Sequence, residues 1–266
     1  MGKKIKLISP VIDYDMYNKV IKNNKFTKNF ELLDIDNRKE NNFISKCYNT
    51  FLNSYDYSKD SWFVFCHEDF EFLDDVENKI LNLSKNYIYG PVGIDINFID
   101  TKKKEVQVQY KGKYKDKNKA GLCYRSIVFK NYKDGDVVQS LDCMCVIINS
   151  SLIKKYKLRF DEELTWNLYV EDFCVNSRIK HGIKARLIEI ECCHWSQLDD
   201  INERKSFFKD LEYLNFIKFK YHIFIGTCGL FGGKSLGFKT KVVDSKISFL
   251  KNLKYKIILY VQKLCL

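Results

Sequence analysis

The feature that most constrains the fold lies between residues 4 and 69, where near-continuous apolar runs alternate with amphipathic ones. KIKLISPVI (4–12), FELLDID (30–36) and SWFVFCHED (61–69) read as strands, while DYDMYNKVIKNN (13–24) and NNFISKCYNTFLNSY (41–55) carry apolar residues at helical spacing. Strands that are apolar throughout are buried on both faces. The alternation therefore predicts an α/β chain, a Rossmann-like and mostly parallel sheet with helices on both faces. In such sheets ligands collect beyond the carboxyl ends of the strands. Ser9 and Pro10, Asp34 to Asn37, and His67 to Asp69 stand at three such ends, so they are expected to converge on one crevice.

After another short strand, YIYGPVGI (87–94), the pattern gives way to TKKKEVQVQYKGKYKDKNK (101–119), which is polar, basic and locally alternating. It reads as a surface hairpin or a mobile loop. SLDCMCVIINSSLIKKYKLRFDEEL (140–164) reads as a buried strand followed by a short helix or turn. In YVEDFCVNSRIKHG (169–182), Val170, Phe173, Cys174, Ser177 and Ile179 support a helix that Gly182 stops after a basic last turn. ARLIEIECCHWS (185–196) reads as a strand ending in a histidine. The division expected is an α/β domain over 1–198, with halves 1–100 and 101–198, then an aromatic helical segment over 199–225, a glycine-rich connector over 226–245 and a basic amphipathic tail over 246–266. GLFGGKS (229–235) does not match a phosphate loop, because Cys228 stands where G-x-x-x-x-G-K-[ST] requires glycine.

The 266 residues, 45 % of them hydrophobic, are enough for a proper core. A formal net charge of +11 suits anionic partners without choosing among them. Nucleic acid is the least expected, because only six basic residues are arginine and the basic stretches carry no reader motif. Ten cysteines in a long chain, with no secretory leader and no C-x-x-C pair, read as reduced structural thiols and place the protein in the cytoplasm. No run approaches the roughly 20 apolar residues of a spanning helix. In the tail, Ile247, Leu250, Leu253, Ile257, Val261 and Leu264 make one apolar stripe among five lysines and no acid. Such a helix can lie on an anionic membrane, here the inner face, or pack on protein.

Three spots carry candidate chemistry: His67-Glu68-Asp69 at a strand end, Glu171-Asp172 at the start of a helix, and His194 at another strand end. A strand-end carboxylate is well placed to hold a hard divalent cation, magnesium or manganese before zinc, and such a cation also bridges phosphates. Acids in a first helical turn are favoured by the helix dipole with or without catalysis.

Taken in order, the SPV strand, DIDN, FISKCYNTFL, FCHEDF, RFDEEL, YVEDFCVNSRIKHGIKARLI and HWS resemble the family 2 glycosyltransferases of the GT-A fold, over residues 4–196. FDE…EDF…G at 160–182 is the more specific part, and HED resembles the family's Asp-x-Asp motif with histidine in the first place. The family's common Asp-Gly is here Asp142-Cys143. The resemblance implies a nucleoside-diphosphate sugar as donor, held at Ser9, Pro10 and Asp36 and at His67, Glu68 and Asp69. It implies a divalent cation (Mn2+ or Mg2+) on Asp69 and His194, and Asp172 as general base beside Glu171. It further implies inverting transfer to a glycan or lipid-linked acceptor, in the building of a cell-surface polysaccharide. Trp166, Tyr169 and Trp195 flank the acids and suit either sugar stacking or core packing. A GT-A-like chain that binds glycans without catalysis, or a nucleic-acid-binding protein, is the alternative reading.

Overall fold

The computed structural model describes residues 4–117, 123–129, 132–164, 167–195, 220, 224–226, 229–231 and 239–242. Over residues 4–69 the expected alternation is present. β1 (Ile5–Val11) leads to α1 (Tyr14–Tyr17), which runs on into a π-helical turn at Asn18–Lys22, and β2 (Glu31–Asp36), α2 (Ile44–Ser54) and β3 (Trp62–Cys66) follow. Next come β4 (Phe70–Phe72), α3 (Glu77–Leu81), β5 (Ile88–Gly90), β6 (Val92–Asp100), β7 (Glu105–Lys117) and β8 (Cys123–Val128). Then come β9 (Val137–Val138), β10 (Ser140–Leu141), β11 (Cys145–Asn149), α4 (Ser150–Tyr156), α5 (Tyr169–His181), β12 (Ala185–Leu187) and β13 (Cys192–His194). β14 (Phe224–Gly226), β15 (Gly229–Phe231) and β16 (Lys239–Val242) are the last described elements.

The fold is mixed α/β around a seven-stranded sheet in the order β2-β1-β3-β11-β5-β12-β9. β2, β1, β3, β5 and β12 run one way and β11 and β9 the other, so the sheet is mostly parallel by direction although β11 separates its two parallel groups. Strands from both halves of the 1–198 region interleave in it. β3 and β11 are buried along their whole length. Their side chains alternate between two cores: Phe63, Phe65, Val146 and Ile148 pack with Tyr48, Leu52 and Phe173 of α2 and α5. Trp62, Val64, Cys145 and Ile147 pack on the other face with Tyr17, Val20 and Ile21 around α1. This period of two explains why the runs looked apolar throughout.

A second sheet, in the order β10-β6-β7-β13-β4, lies at the carboxyl ends of the first, and the chain crosses between them repeatedly, as β3 to β4, β5 to β6, β9 to β10 and β12 to β13. Two expectations are settled here. Of the two forms expected for residues 101–119 the hairpin is present, β6 and β7 turning at 101–104, and β7 is no mobile loop, since it also pairs with β8, β13 and β16. The other is corrected. ARLIEIECCHWS is two strands in two sheets, β12 and β13, because an apolar run carries no mark of where a chain changes partners.

Gly112 makes the long reach of β7 workable. On one side β7 pairs with β6 up to Gly112 and with β8 from Lys113 onward. At that handover Gly112 has φ +109°, and a Cβ there would stand 2.1 Å from the Pro91 carbonyl oxygen. Only glycine fits such backbone and such an approach. The helix expected from 169 ends as the sequence indicates, on Gly182 in the left-handed region at φ 69°.

Within the glycine-rich connector expected over 226–245, the described residues are strands: β14 and β15 form a hairpin, and β16 adds in parallel to β7. The helical extension expected over 199–225, apart from Lys220 and the first residues of β14, lies outside the described residues, as do the tail 246–266 and Trp166. Among the described residues no helix is long and apolar enough to cross a membrane.

Candidate metal centre

Where β3 leaves the first sheet, the turn His67 to Asp69 is pinned by backbone bonds. His67 N–H donates to Met144 O at 3.2 Å, Phe70 N–H to His67 O at 3.2 Å, and Trp195 N–H to Asp69 O at 2.9 Å. The last bond brings the end of β13 alongside, and with it His194. One ligand atom from each of His67, Asp69 and His194 lies within 4.8 Å of the other two. The sequence reading chose Asp69 and His194 for a cation; the structure places both together and adds His67. A cation with bonds of about 2.0–2.2 Å holds opposed ligand atoms about 4 Å apart, so the trio is close to closing distance.

The electrostatics draw positive charge to the site, first as a proton on His194 that a ligated metal would displace. His194 Nε2 stands 3.3 Å from Asp69 Oδ1 and its Nδ1 3.9 Å from Asp116 Oδ1. Burial works against a charged His194, but the carboxylates of Asp69, Asp142 and Asp116 outweigh it and lift the imidazole to about 9. His67 goes the other way, its desolvation outweighing Asp69 and keeping the ring neutral. Asp69 is held below the usual carboxylate range, because the two imidazoles overcome the cost of its burial. Its Oδ1 is buried and accepts no hydrogen bond, His194 being near but not aligned. A buried carboxylate oxygen with an ion pair to His194 but no aligned hydrogen bond, within ligand reach of two imidazoles, is what a cation would satisfy, so these residues fit one.

The other candidates fall in several places. Glu68 turns away from the trio and clamps the end of β1, its Oε2 accepting from Ile12 N–H at 2.6 Å and Asp13 N–H at 2.9 Å. Asp36 is exposed at the end of β2, paired with Arg38 through Nε at 2.9 Å and Nη2 at 2.6 Å, and Arg38 lies 4.5 Å from the Tyr14 ring centre. Tyr14 in turn donates to Asp34 at 2.9 Å. Ser9 and Pro10 are buried within β1, level with Asp34 and Ile35 of β2.

Glu171 and Asp172 are both buried in the first turn of α5, which begins from Leu168 in a left-handed conformation, φ 63°. Leucine rarely adopts that backbone, and the sharp entrance turns Tyr169 toward the trio. Tyr169 Oη lies 2.7 Å from His67 Nε2 and donates to Cys143 O at 3.4 Å. Asp172 Oδ1 is 2.8 Å from Lys220 Nζ, which also reaches Asp161 Oδ2 at 2.7 Å. Burial disfavours the charged lysine there, but the two aspartates more than restore it.

Sequence reasoning missed Asp116 and Lys220. Asp116 was legible in principle: it shares the even-numbered face of β7 with buried Val106 and Val108, where an acid is out of place. Lys220 offered no signal among so many lysines. The two aromatics open to description, Tyr169 and Trp195, are buried. Trp195 donates from Nε1 to Glu71 Oε2 at 2.9 Å, with Lys19 at 4.0 Å and Lys117 at 4.6 Å from its ring centre, which is a packing role.

No protein-family model matches this chain, and no curated protein does. Among solved structures, the S. aureus TarS 1–349 structure is similar at 12 % identity and a TM-score of 0.43, covering 72 % of this chain and 60 % of that one. A fuller S. aureus TarS structure gives the same identity and TM-score, with 73 % of this chain and 37 % of that one covered. A197 from STIV is similar at 11 % identity and a TM-score of 0.38, covering 73 % and 86 %. This chain thus spans less than two thirds of either TarS chain. Similarity at that level fixes neither an activity nor a substrate.

Proposed function

We propose that this protein is a glycosyltransferase of the GT-A type, which moves a sugar from a nucleoside-diphosphate donor to an acceptor hydroxyl with inversion at the anomeric carbon. The observation that carries the reading is the meeting of Asp69 and His194 beyond the carboxyl end of β3, with Tyr169, at the start of the helix that carries Glu171 and Asp172, bonded to His67. The sequence resemblance assigns those residues to one reaction. A divalent cation held by Asp69 and His194 would offset charge developing on the leaving diphosphate. Asp36 and Arg38, exposed at and just after the end of β2, and half-buried Tyr14 at the start of α1 suit the nucleoside. Asp172 takes the proton of the acceptor hydroxyl as the new bond forms, with Lys220 Nζ 2.8 Å from its Oδ1 holding the side chain in place. Glu68 supports the donor side by fixing the end of β1.

The test is thermal stabilisation by UDP, GDP and dTDP, with CMP as control, each with and without manganese. One diphosphate should stabilise the native protein only with metal, and Asp69→Asn should abolish the effect. Turnover of the matching sugar nucleotide should then fall at least a hundredfold in Asp172→Asn while donor binding persists. Absence of any diphosphate effect sinks the reading. The Lys220 contact favours one second reading, a GT-A-like subunit that binds glycans with its base neutralised. That reading requires donor binding without turnover in the native protein. The acceptor class, a glycan or lipid-linked sugar of the cell surface reached from the cytoplasmic side, follows from the resemblance and needs acceptor assays of its own.

A further inference from the structure

The way both imidazoles are held says which kind of cation they would take. The Tyr169 hydroxyl reaches Cys143 O at 3.4 Å and stands 2.7 Å from His67 Nε2. In the tautomer that leaves Nδ1 for a metal, the hydroxyl gives its proton to Cys143 O and accepts from His67 Nε2–H. Nδ1 of His67 keeps its lone pair and is the nitrogen left for a metal. His194 is arranged similarly: Nε2 faces Asp69, while Nδ1 faces Asp116, a buried carboxylate one strand away in register with it. Metal-bound imidazoles are commonly oriented by an oxygen partner on the outer nitrogen; His67 has the Tyr169 hydroxyl at 2.7 Å, and His194 has the Asp116 carboxylate 3.9 Å from Nδ1, near enough to aim the ring by charge.

We propose that His67 joins Asp69 and His194 in a two-imidazole, one-carboxylate centre that prefers a nitrogen-binding transition metal to magnesium, with Tyr169 and Asp116 as the positioning residues that aim the two rings. The inference deepens the transferase reading above, on whose cation it rests. Its chemistry is separate, however. Magnesium demands oxygen ligands and retains its water, whereas imidazole favours cobalt, iron and zinc, and affinity rises from manganese toward the later metals. A centre with two nitrogens among three protein ligands falls on the transition-metal side. Histidine in place of the first acid of the strand-end motif thereby changes the metal rather than merely losing a ligand.

The experiment is a calorimetric titration of the metal-free full chain with Mg2+, Mn2+ and Co2+, together with the visible spectrum of the Co2+ form, without nucleotide. Co2+ should bind at least about a hundredfold more tightly than Mg2+, with Mn2+ between them. His67→Gln should erase most of that preference and alter the cobalt spectrum. Tyr169→Phe and Asp116→Asn should each weaken Co2+ by about 10–100-fold while keeping all three ligands. Thermal melts confirm the fold of each variant, and if Asp116→Asn fails to fold, Tyr169→Phe decides, because it removes only a hydroxyl. Equal affinity for Mg2+ and Co2+, no cobalt binding, or a cobalt spectrum unchanged by His67→Gln overturns the proposal. Cobalt binding as described, combined with no effect of any nucleoside diphosphate, would overturn the transferase reading and leave the metal centre standing.

Discussion

Glu68 lies between two candidate metal ligands, yet its geometry assigns it to the backbone of β1, and substitutions separate the two roles. In Glu68→Ala the Ile12 and Asp13 N–H groups lose a charged acceptor. Ile12 is exposed and water replaces much of its bond; the part-buried Asp13 N–H loses more, so the loss comes to about 1–3 kcal/mol. For a chain of this size that lowers the melting temperature by about 2–10 °C. Glu68→Gln keeps the acceptor oxygen and removes the charge. Burial raises the Glu68 carboxyl above its ordinary value of 4.5, despite the two N–H donors, so at neutral pH the ionised form is a net cost to the fold. The folded state therefore binds the proton more tightly than the unfolded state. The contribution of Glu68 is fully present below 4.5 and is lost as pH rises through the folded value. Hence Glu68→Gln should be at least as stable as the native protein at pH 7.5, and its relative standing should fall as pH is lowered toward 4.5. Urea unfolding of the three proteins at both pH values measures this. The reasoning is refuted if Glu68→Ala costs under about 0.5 kcal/mol, or if Glu68→Gln leaves stability unchanged and abolishes cation binding, which would make Glu68 a ligand.

Further perturbations test the frame around the site. Gly112→Ala forces a side chain into a left-handed backbone and against Pro91 O, and should cost about 2–5 kcal/mol in urea unfolding while weakening Co2+ binding through displaced Asp116. Lys220→Met breaks the contacts to Asp172 and Asp161 and should cost about 2–4 kcal/mol, discounted for the partial exposure of the lysine. If Asp172 is the base, the acid limb of the pH–rate profile should move to higher pH in Lys220→Met, since a carboxylate that loses a neighbouring cation holds its proton more tightly. Burial pushes up the thiols of Cys47, Cys66, Cys145, Cys174 and Cys192, that of Cys174 to about 12. In native buffer at pH 8, mass-spectrometric labelling should therefore find half-buried Cys143 modified ahead of these five, and denaturant should remove the difference.

The parts of the fold legible in the sequence were those whose periodicity serves one packing demand. β1, β3, α2 and α5 each meet the core on a constant set of faces, so apolar spacing revealed them, and Gly182 marked its helix end as expected. β7 was illegible as a central strand because its outward face is lysine-rich and the chain's composition made lysine uninformative. The convergence of His67, Asp69 and His194 was anticipated only through resemblance, since nothing in the spacing of residues 67 and 194 requires them to meet. Spacing also could not show that Glu68 faces the backbone while its two neighbours face each other. Alternation in a turn depends on the hydrogen bonds that pin it, and here those come from Met144 and Trp195, far along the chain.

The position of the site follows from how the two sheets are joined. His67 to Asp69 is the crossing from β3 to β4, His194 ends the strand entered from β12, Asp142 lies on the return from β10 to β11, and Asp116 is near the end of β7. At a crossing the ladder of one sheet has stopped and the other has only begun. Polar side chains can therefore face a gap that regular pairing would fill with apolar ones. The backbone there still needs partners, and the bonds from His67 to Met144 and from Trp195 to Asp69 supply them across the gap. The same bonds fix the separation of the imidazoles and the carboxylate. A change that loosens the seam, such as Gly112→Ala, should accordingly lower metal affinity and stability together, whereas Tyr169→Phe, which touches only the aim of one ring, should lower the first with much less effect on the second.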